Sequence, residues 1–161
     1  MVLLIGTLGN GLANLKPVMT EIEAINNLAT AWENYFSNAS VAGVPVIPGT
    51  LVSAISAMKA ALVGLSVENM ASIKIQAGII AFWGVVAASA STIWVIAPPI
   101  ISATIPPTLG TIAASLTSVF ASNLSSKLGL VEAANAIAGV LHPIQLGGIA
   151  IQTPNIPIPI L

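Results

Sequence analysis

Ala77–Ala97 reads AGIIAFWGVVAASASTIWVIA and contains no charged residue. It is about as long as the roughly 20 apolar residues that cross a bilayer. How it is read decides between a membrane protein and a protein with one buried core helix. Trp83 and Trp94 lie inside the run; a span would place such residues at its ends, in the interfacial belts. Gly78, Gly84, Ser89, Ser91 and Thr92 are small residues that suit close helix packing. No cluster of Lys or Arg flanks the run to orient it. We read it as a core helix that begins near Ser66-Val67-Glu68 and spans about 67–96. Pro98 and Pro99 end it, because proline lacks the N–H a helix interior needs. Membrane insertion remains the alternative reading.

Upstream, residues 17–37 form the clearest amphipathic pattern. Ile22, Ile25, Leu28/Ala29, Trp32 and Tyr35/Phe36 recur at spacings of three and four, the signature of one buried stripe. Pro17 suits a first helical turn, and Lys16 or Thr20 marks the start. Residues 38–49 (NASVAGVPVIPG) carry Gly43, Pro45, Pro48 and Gly49 and read as a loop. A second helix follows with Thr50 as its N-cap. Leu51, Ile55, Met58 and Leu62 are its stripe, and Gly64 stops it. Residues 1–16 open apolar and turn Gly/Asn-rich. No basic residue precedes Val2–Ile5, so the run reads as an apolar arm rather than a secretory signal.

Downstream, Pro98, Pro99, Pro106 and Pro107 mark a proline-rich crossing. A helix is expected over about 111–128, with Ile112, Leu116, Val119/Phe120 and Leu124 inward. A last helix runs over about 130–141 and stops at His142-Pro143, since the residue before proline is pushed out of the helical region. The chain closes on TPNIPIPIL. An extended strand presents alternate residues to opposite edges. Pro157 and Pro159 therefore blank one edge and leave the other able to pair, either with a neighbour or with the same chain. The expected fold is all-α: a compact helical bundle of about five helices (17–145), between an extended N-terminal arm (1–16) and a Pro/Ile-rich C-terminal arm (146–161).

The order of elements repeats. Gly49-Thr50-Leu51 and the following Ile55 and Met58 match Gly110-Thr111-Ile112, Leu116 and Val119 at the same offsets. A tryptophan segment precedes each (Trp32, Trp83), and a Gly-Leu and Val-Glu pair follows each (Gly64 to Glu68, Gly129 to Glu132). Two modules, 17–78 and 79–145, are one explanation; chance similarity of Ala/Ser/Ile-rich helices is the other.

Composition bounds the function. Of 161 residues 56% are hydrophobic and 6% charged, with mean hydropathy +0.98. An ordinary soluble domain carries about 25% charged residues. There is no Asp, Arg or Cys, and His142 is the sole histidine. Four lysines without arginine cannot neutralise a run of phosphates, so no nucleic acid is expected. Zinc and iron–sulfur sites need Cys, His and carboxylate clusters, so no metal or cofactor is expected. The chain is too apolar for disorder. Its surface must be covered by a core, a membrane or another subunit.

The remaining candidates are weak. His142 is the only conceivable general base; it has no Asp or Cys partner, and Glu132 lies well upstream. Glu21 and Glu23 are two apart and do not face each other on a helix. Gly6-Thr-Leu-Gly9-Asn-Gly11 lacks the Lys-Ser/Thr of a phosphate loop and reads as a flexible arm. Asn38-Ala-Ser40 and Asn123-Leu-Ser125 match a glycosylation pattern without other signs of secretion. No enzymatic centre is expected.

Taken across the chain, the Ala/Ile/Ser-rich, Arg-free composition, the segments AFWGVVAASASTIW and VPVIPGTL and the Pro/Ile tail resemble the hydrophobic virion structural proteins of tailed, marine-type bacteriophages. The resemblance implies a structural role in a capsid, neck, tail or baseplate. The expected function is thus a non-enzymatic subunit of a large assembly. Its partners would be copies of itself or other subunits. Val2, Leu3, Leu4 and Ile5 at one end, and Ile156, Pro157, Ile158, Pro159, Ile160 and Leu161 at the other, are its expected interface. A small membrane or pore-forming protein and a soluble carrier of apolar ligands are the alternatives.

Overall fold

A computed structural model describes residues 5–13, 19–67, 69–126, 129–145, 148–152 and 156–161, with backbone only for 123–126 and 144. Seven helices account for most of it: α1 (Ile5–Leu12), α2 (Glu21–Phe36), α3 (Val52–Ala61), α4 (Ala71–Ala88), α5 (Ala90–Ile93), α6 (Ile112–Ser126) and α7 (Leu130–Gln145). The fold is not purely α. A hairpin of β1 (Ser40–Val41) and β2 (Val44–Pro45) follows α2, and β3 (Ile100–Thr104), β4 (Ile149–Gln152) and β5 (Ile156–Pro159) form an antiparallel sheet in that order.

The strands lie where prolines had suggested loops and arms. Proline excludes a helix but not an extended strand at an edge. In the hairpin, Ala42 and Gly43 adopt positive φ of 50° and 80° and turn the chain back after two paired residues a side. β3 fills the crossing between Pro99 and Pro106.

The core is aromatic. Trp32, Tyr35, Phe36, Phe82, Trp83 and Trp94 are all fully buried, and Phe36 packs edge-on against Phe82 and Trp83 at 4.8 and 5.3 Å. α4 delivers Ile75, Gly78, Ile79, Phe82, Trp83 and Val86 to this core. α2 delivers Ile25, Leu28, Trp32, Tyr35 and Phe36, while Ile22 is exposed. α2 starts with a capping box, in which Thr20 accepts from the Glu23 N–H and the Glu23 carboxylate accepts from the Thr20 N–H at 2.8 Å. The Leu51, Ile55, Met58 and Leu62 stripe is buried as a unit, as are Ile112 and Leu116.

Thr50 does not cap α3: Leu51 is at the N-cap without a side-chain bond, and the Thr50 hydroxyl donates to the Ile47 carbonyl instead. Three further boundaries depart from expectation. The helix expected over 67–96 is broken: α4 ends at Ala88 and a short α5 ends at Ile93, before either proline. The break falls at Ser89, whose backbone leaves the helical region at φ −112° and ψ 15°, and the Ser89 carbonyl then accepts from the Ile93 N–H at 3.1 Å and from Thr92 Oγ1 at 2.8 Å. Trp94 then turns extended and fully buried. α7 runs through Pro143 to Gln145 instead of stopping at His142. Gln145 is fully buried, accepts from Trp83 Nε1 and donates to the Leu141 carbonyl at 3.3 Å, so tertiary contacts hold the last turn.

The third departure is at the N-terminus. The expected extended arm is helical over Ile5–Leu12. Leu8 and Leu12 bury one turn apart. A Cβ on Gly11 would lie 2.6 Å from Ala31 Cβ in α2, and one on Gly9 would strike Asn135 in α7. The glycines that looked like flexibility are what let α1 lie close between two helices.

Candidate interaction surface

The C-terminal segment positions the surface. Ile160 donates to the Gly148 carbonyl at 2.9 Å. Ladder bonds alternate along a strand, so the Ile158 N–H faces β4 too, and Pro157 and Pro159 face the opposite edge, where their missing N–H breaks no ladder bond. The register agrees, with Ala150 opposite Ile158 and Ile149 opposite Pro159. The edge left open by the prolines thus pairs within the same chain. Beyond it, Leu161 exchanges two backbone bonds with Ser40, at 3.0 and 2.6 Å, and ties the tail to β1.

The expected interface residues are therefore divided. Ile160 is wholly buried, and Ile158 is half-buried on the inner face of the sheet. Pro157 and Pro159 are exposed on the outer face, Ile156 and Leu161 are exposed at the ends, and Ile5 is exposed at the start of α1. Val2, Leu3 and Leu4 lie outside the described residues.

Pairing assigns the outer face by register. One row is Ser102, Ile151 and Pro157; the next is Thr104, Ile149 and Pro159. Ile101, at the register shift in β3, and Ile105 flank them, exposed by 53% and 45%. The result is an apolar face without one charged side chain, made from three strands that sequence periodicity did not separate from loops. The signal was the alternation of isoleucine with proline, which had been assigned to an arm.

Titratable groups gather elsewhere and sparsely. Tyr35 Oη lies 2.8 Å from His142 Nδ1, with the rings 5.9 Å apart and near edge-on. Burial pushes the Tyr35 phenol well above the usual tyrosine range. The pair gives a buried hydroxyl its partner. Among the described residues no carboxylate is bonded to the imidazole: Glu132 sits ten residues earlier on the same helix, about 15 Å along its axis. Glu21 accepts from the Gly64 N–H and, at 2.7 Å, from the Ser66 hydroxyl; these bonds, Ser66 first, hold its carboxyl below the usual range. Among the described residues no three of His, Asp and Glu converge.

Two surface depressions stand out among the described residues. One of about 390 Å³ lies between the start of α4 and the middle of α6, beside the Ser72–Thr117 hydroxyl pair at 2.8 Å. The other, of about 340 Å³, lies between the end of α2 and the segment Val46–Leu51. Both are partly enclosed and partly open to solvent. No protein-family model, curated protein or solved structure matches the chain.

Proposed function

We propose that the protein is a non-enzymatic structural subunit of a large assembly, and that it joins copies of itself or other subunits through apolar faces. The observation that carries this reading is the uncharged outer face of β3, β4 and β5. The whole surface supports it. A chain of 16.2 kDa folds to about 7,500 Å² of accessible area, and this one has 7807 Å². A normal amount of surface is therefore covered with very few charges. Fifteen large hydrophobic side chains are exposed among the described residues; scattered singly they are ordinary, and it is the contiguous set on the sheet face that marks a contact surface.

Magnitudes favour many contacts over one. Three strands about 4.8 Å apart and four residues long cover roughly 200 Å², whereas a stable pair buries about 800 Å² per partner. The sheet face alone makes a weak pair. Several such faces on one subunit add through multivalency, as in a shell or tube. A phage particle is the assembly suggested by the composition. We also read the halves as a duplicated module: Thr50 Oγ1 donates to Ile47 O at 2.7 Å, and Thr111 Oγ1 to Thr108 O at 2.8 Å, so the matched Gly-Thr turns share one device.

Size-exclusion chromatography with light scattering tests the association. The isolated chain is expected to gain mass with concentration, and the variant Ile101→Lys/Ile149→Lys to lose that gain with unchanged circular dichroism. A wild-type chain that stays monomeric at high concentration overturns the subunit reading.

One observation favours a second reading. α4 is long and apolar enough to cross a membrane. Its inner side carries the aromatic core, so insertion requires the fold to open. Carbonate extraction separates the two readings: a membrane protein stays with lipid, and a subunit does not.

A further inference from the structure

Among the described residues, most of the few charges are accommodated locally. Glu23 closes the capping box of α2. Glu21 accepts from Gly64 and Ser66, with Lys74 near enough to favour its charge. Glu132 lies in the first turn of α7 and Lys59 in the last turn of α3, where helix dipoles favour an acid and a base respectively. Glu33 is the exception. It lies in the last turn of α2, at the negative end of a sixteen-residue helix with no basic residue in that turn. It has no ion-pair partner among the described residues, and neither does Lys59.

Glu33 also borders the depression at the end of α2, whose other walls are Ser37, Asn38, Val46, Ile47, Pro48, Gly49 and Leu51. A trough with one apolar wall (Val46, Ile47, Pro48 and Leu51) and one carboxylate unmatched among the described residues suits an apolar ridge with one cation. The chain carries such a ridge. Val52, Ser56 and Lys59 recur at spacings of four and three along α3, Val63 follows just past its C-cap, and the two valines are exposed by 61% and 62%. Leu51, in the wall of the trough, directly precedes Val52. Trough and ridge therefore lie side by side, the arrangement a two-fold contact needs for each copy to fill the other.

We propose that the trough receives α3 of a second copy of the chain, with the ammonium of that copy's Lys59 set against Glu33. This rests on the assembly reading and names one of its contacts, distinct from the sheet face.

Charge exchange tests it, with association measured by sedimentation of the full chain. Glu33→Lys and Lys59→Glu are each expected to weaken self-association about ten-fold, because a two-fold contact carries the pair twice and each change turns attraction into repulsion. The double variant is expected to return to within a few-fold of wild type. Circular dichroism and melting check that each variant folds. The milder Glu33→Gln and Lys59→Met, expected to weaken association a few-fold without rescuing each other, serve if a charge reversal does not fold. Wild-type-like association of the single variants overturns the trough contact and leaves the subunit reading standing. A double variant as weak as its parents also overturns it. A monomeric wild type overturns both.

Discussion

Glu21 shows how a single side chain in an apolar protein can act as a tie. On the helix pattern alone it was half of a solvated acidic pair. In the fold its carboxylate accepts from Ser66 and Gly64, across the loop that leaves α3. Those bonds favour the charged form and hold the folded-state pKa below the ordinary value of 4.5. A depressed carboxyl pKa contributes stability above the unfolded pKa, and that contribution is lost as pH falls through the folded pKa. The Glu23 cap has the same sign, since its bonds to Thr20 also lower its pKa. Thermal melts should therefore fall as pH drops below about 4.5. Glu21→Gln should reduce that fall, and a variant with the full wild-type pH dependence would show that Glu21 does not contribute to it. No residue spacing could announce the Glu21 tie, because its partners lie more than forty positions away; the capping box was readable only as a start signal at Thr20.

At the scale of elements, α1 is the most instructive case. Three glycines in eight residues oppose a helix by roughly 1 kcal/mol each relative to alanine. The helix forms because packing outweighs propensity, and the glycines divide by what surrounds them. Gly11 faces Ala31, whose backbone Cα would lie 3.0 Å from an added Cβ, whereas Gly6 has nothing within 4 Å. Gly11→Ala should destabilise by about 1–3 kcal/mol through overpacking, net of its helix propensity. Gly6→Ala should be neutral or stabilise by up to about 1 kcal/mol. Chemical denaturation of both reads the difference, and equal effects would mean that α1 does not pack as described. The amphipathic stripes of α2, α3 and α6 were legible because period and burial coincide there. The break at Ser89 and the turn beyond Pro143 were not. The first falls in an apolar run whose spacing continues across it, and the second depends on a buried glutamine held by Trp83.

For the whole molecule, the tail changes role. An apolar Pro/Ile arm could clamp a neighbour, and its deletion would then spare the body. In the fold it is a sheet strand, with Ile160 fully buried and Leu161 bonded to Ser40. Losing a buried isoleucine costs about 2–5 kcal/mol, before the ladder is counted. Deleting Ile156–Leu161 is therefore expected to lower the melting temperature of the isolated chain by several degrees or more. A truncated chain that melts like wild type would instead mean that the tail binds elsewhere. What remains for contact is the outer face of the sheet and the trough beside Glu33.

The sequence by itself determined the environment and the periodic parts. Its shortage of charge left few residues from which a charged site could be built, and apolar spacing located α2, α3 and α6, because both properties are local and additive along the chain. Ala77–Ala97 was legible as a core segment but not as two helices and a buried extended tryptophan. Only the tertiary structure decided that, along with the β3–β4–β5 sheet and the helix made of glycines. The physical reason is common to all three. Strand pairing, close helix approach and the satisfaction of a buried hydroxyl or amide depend on partners distant in the chain, and local propensity says nothing about which partner arrives.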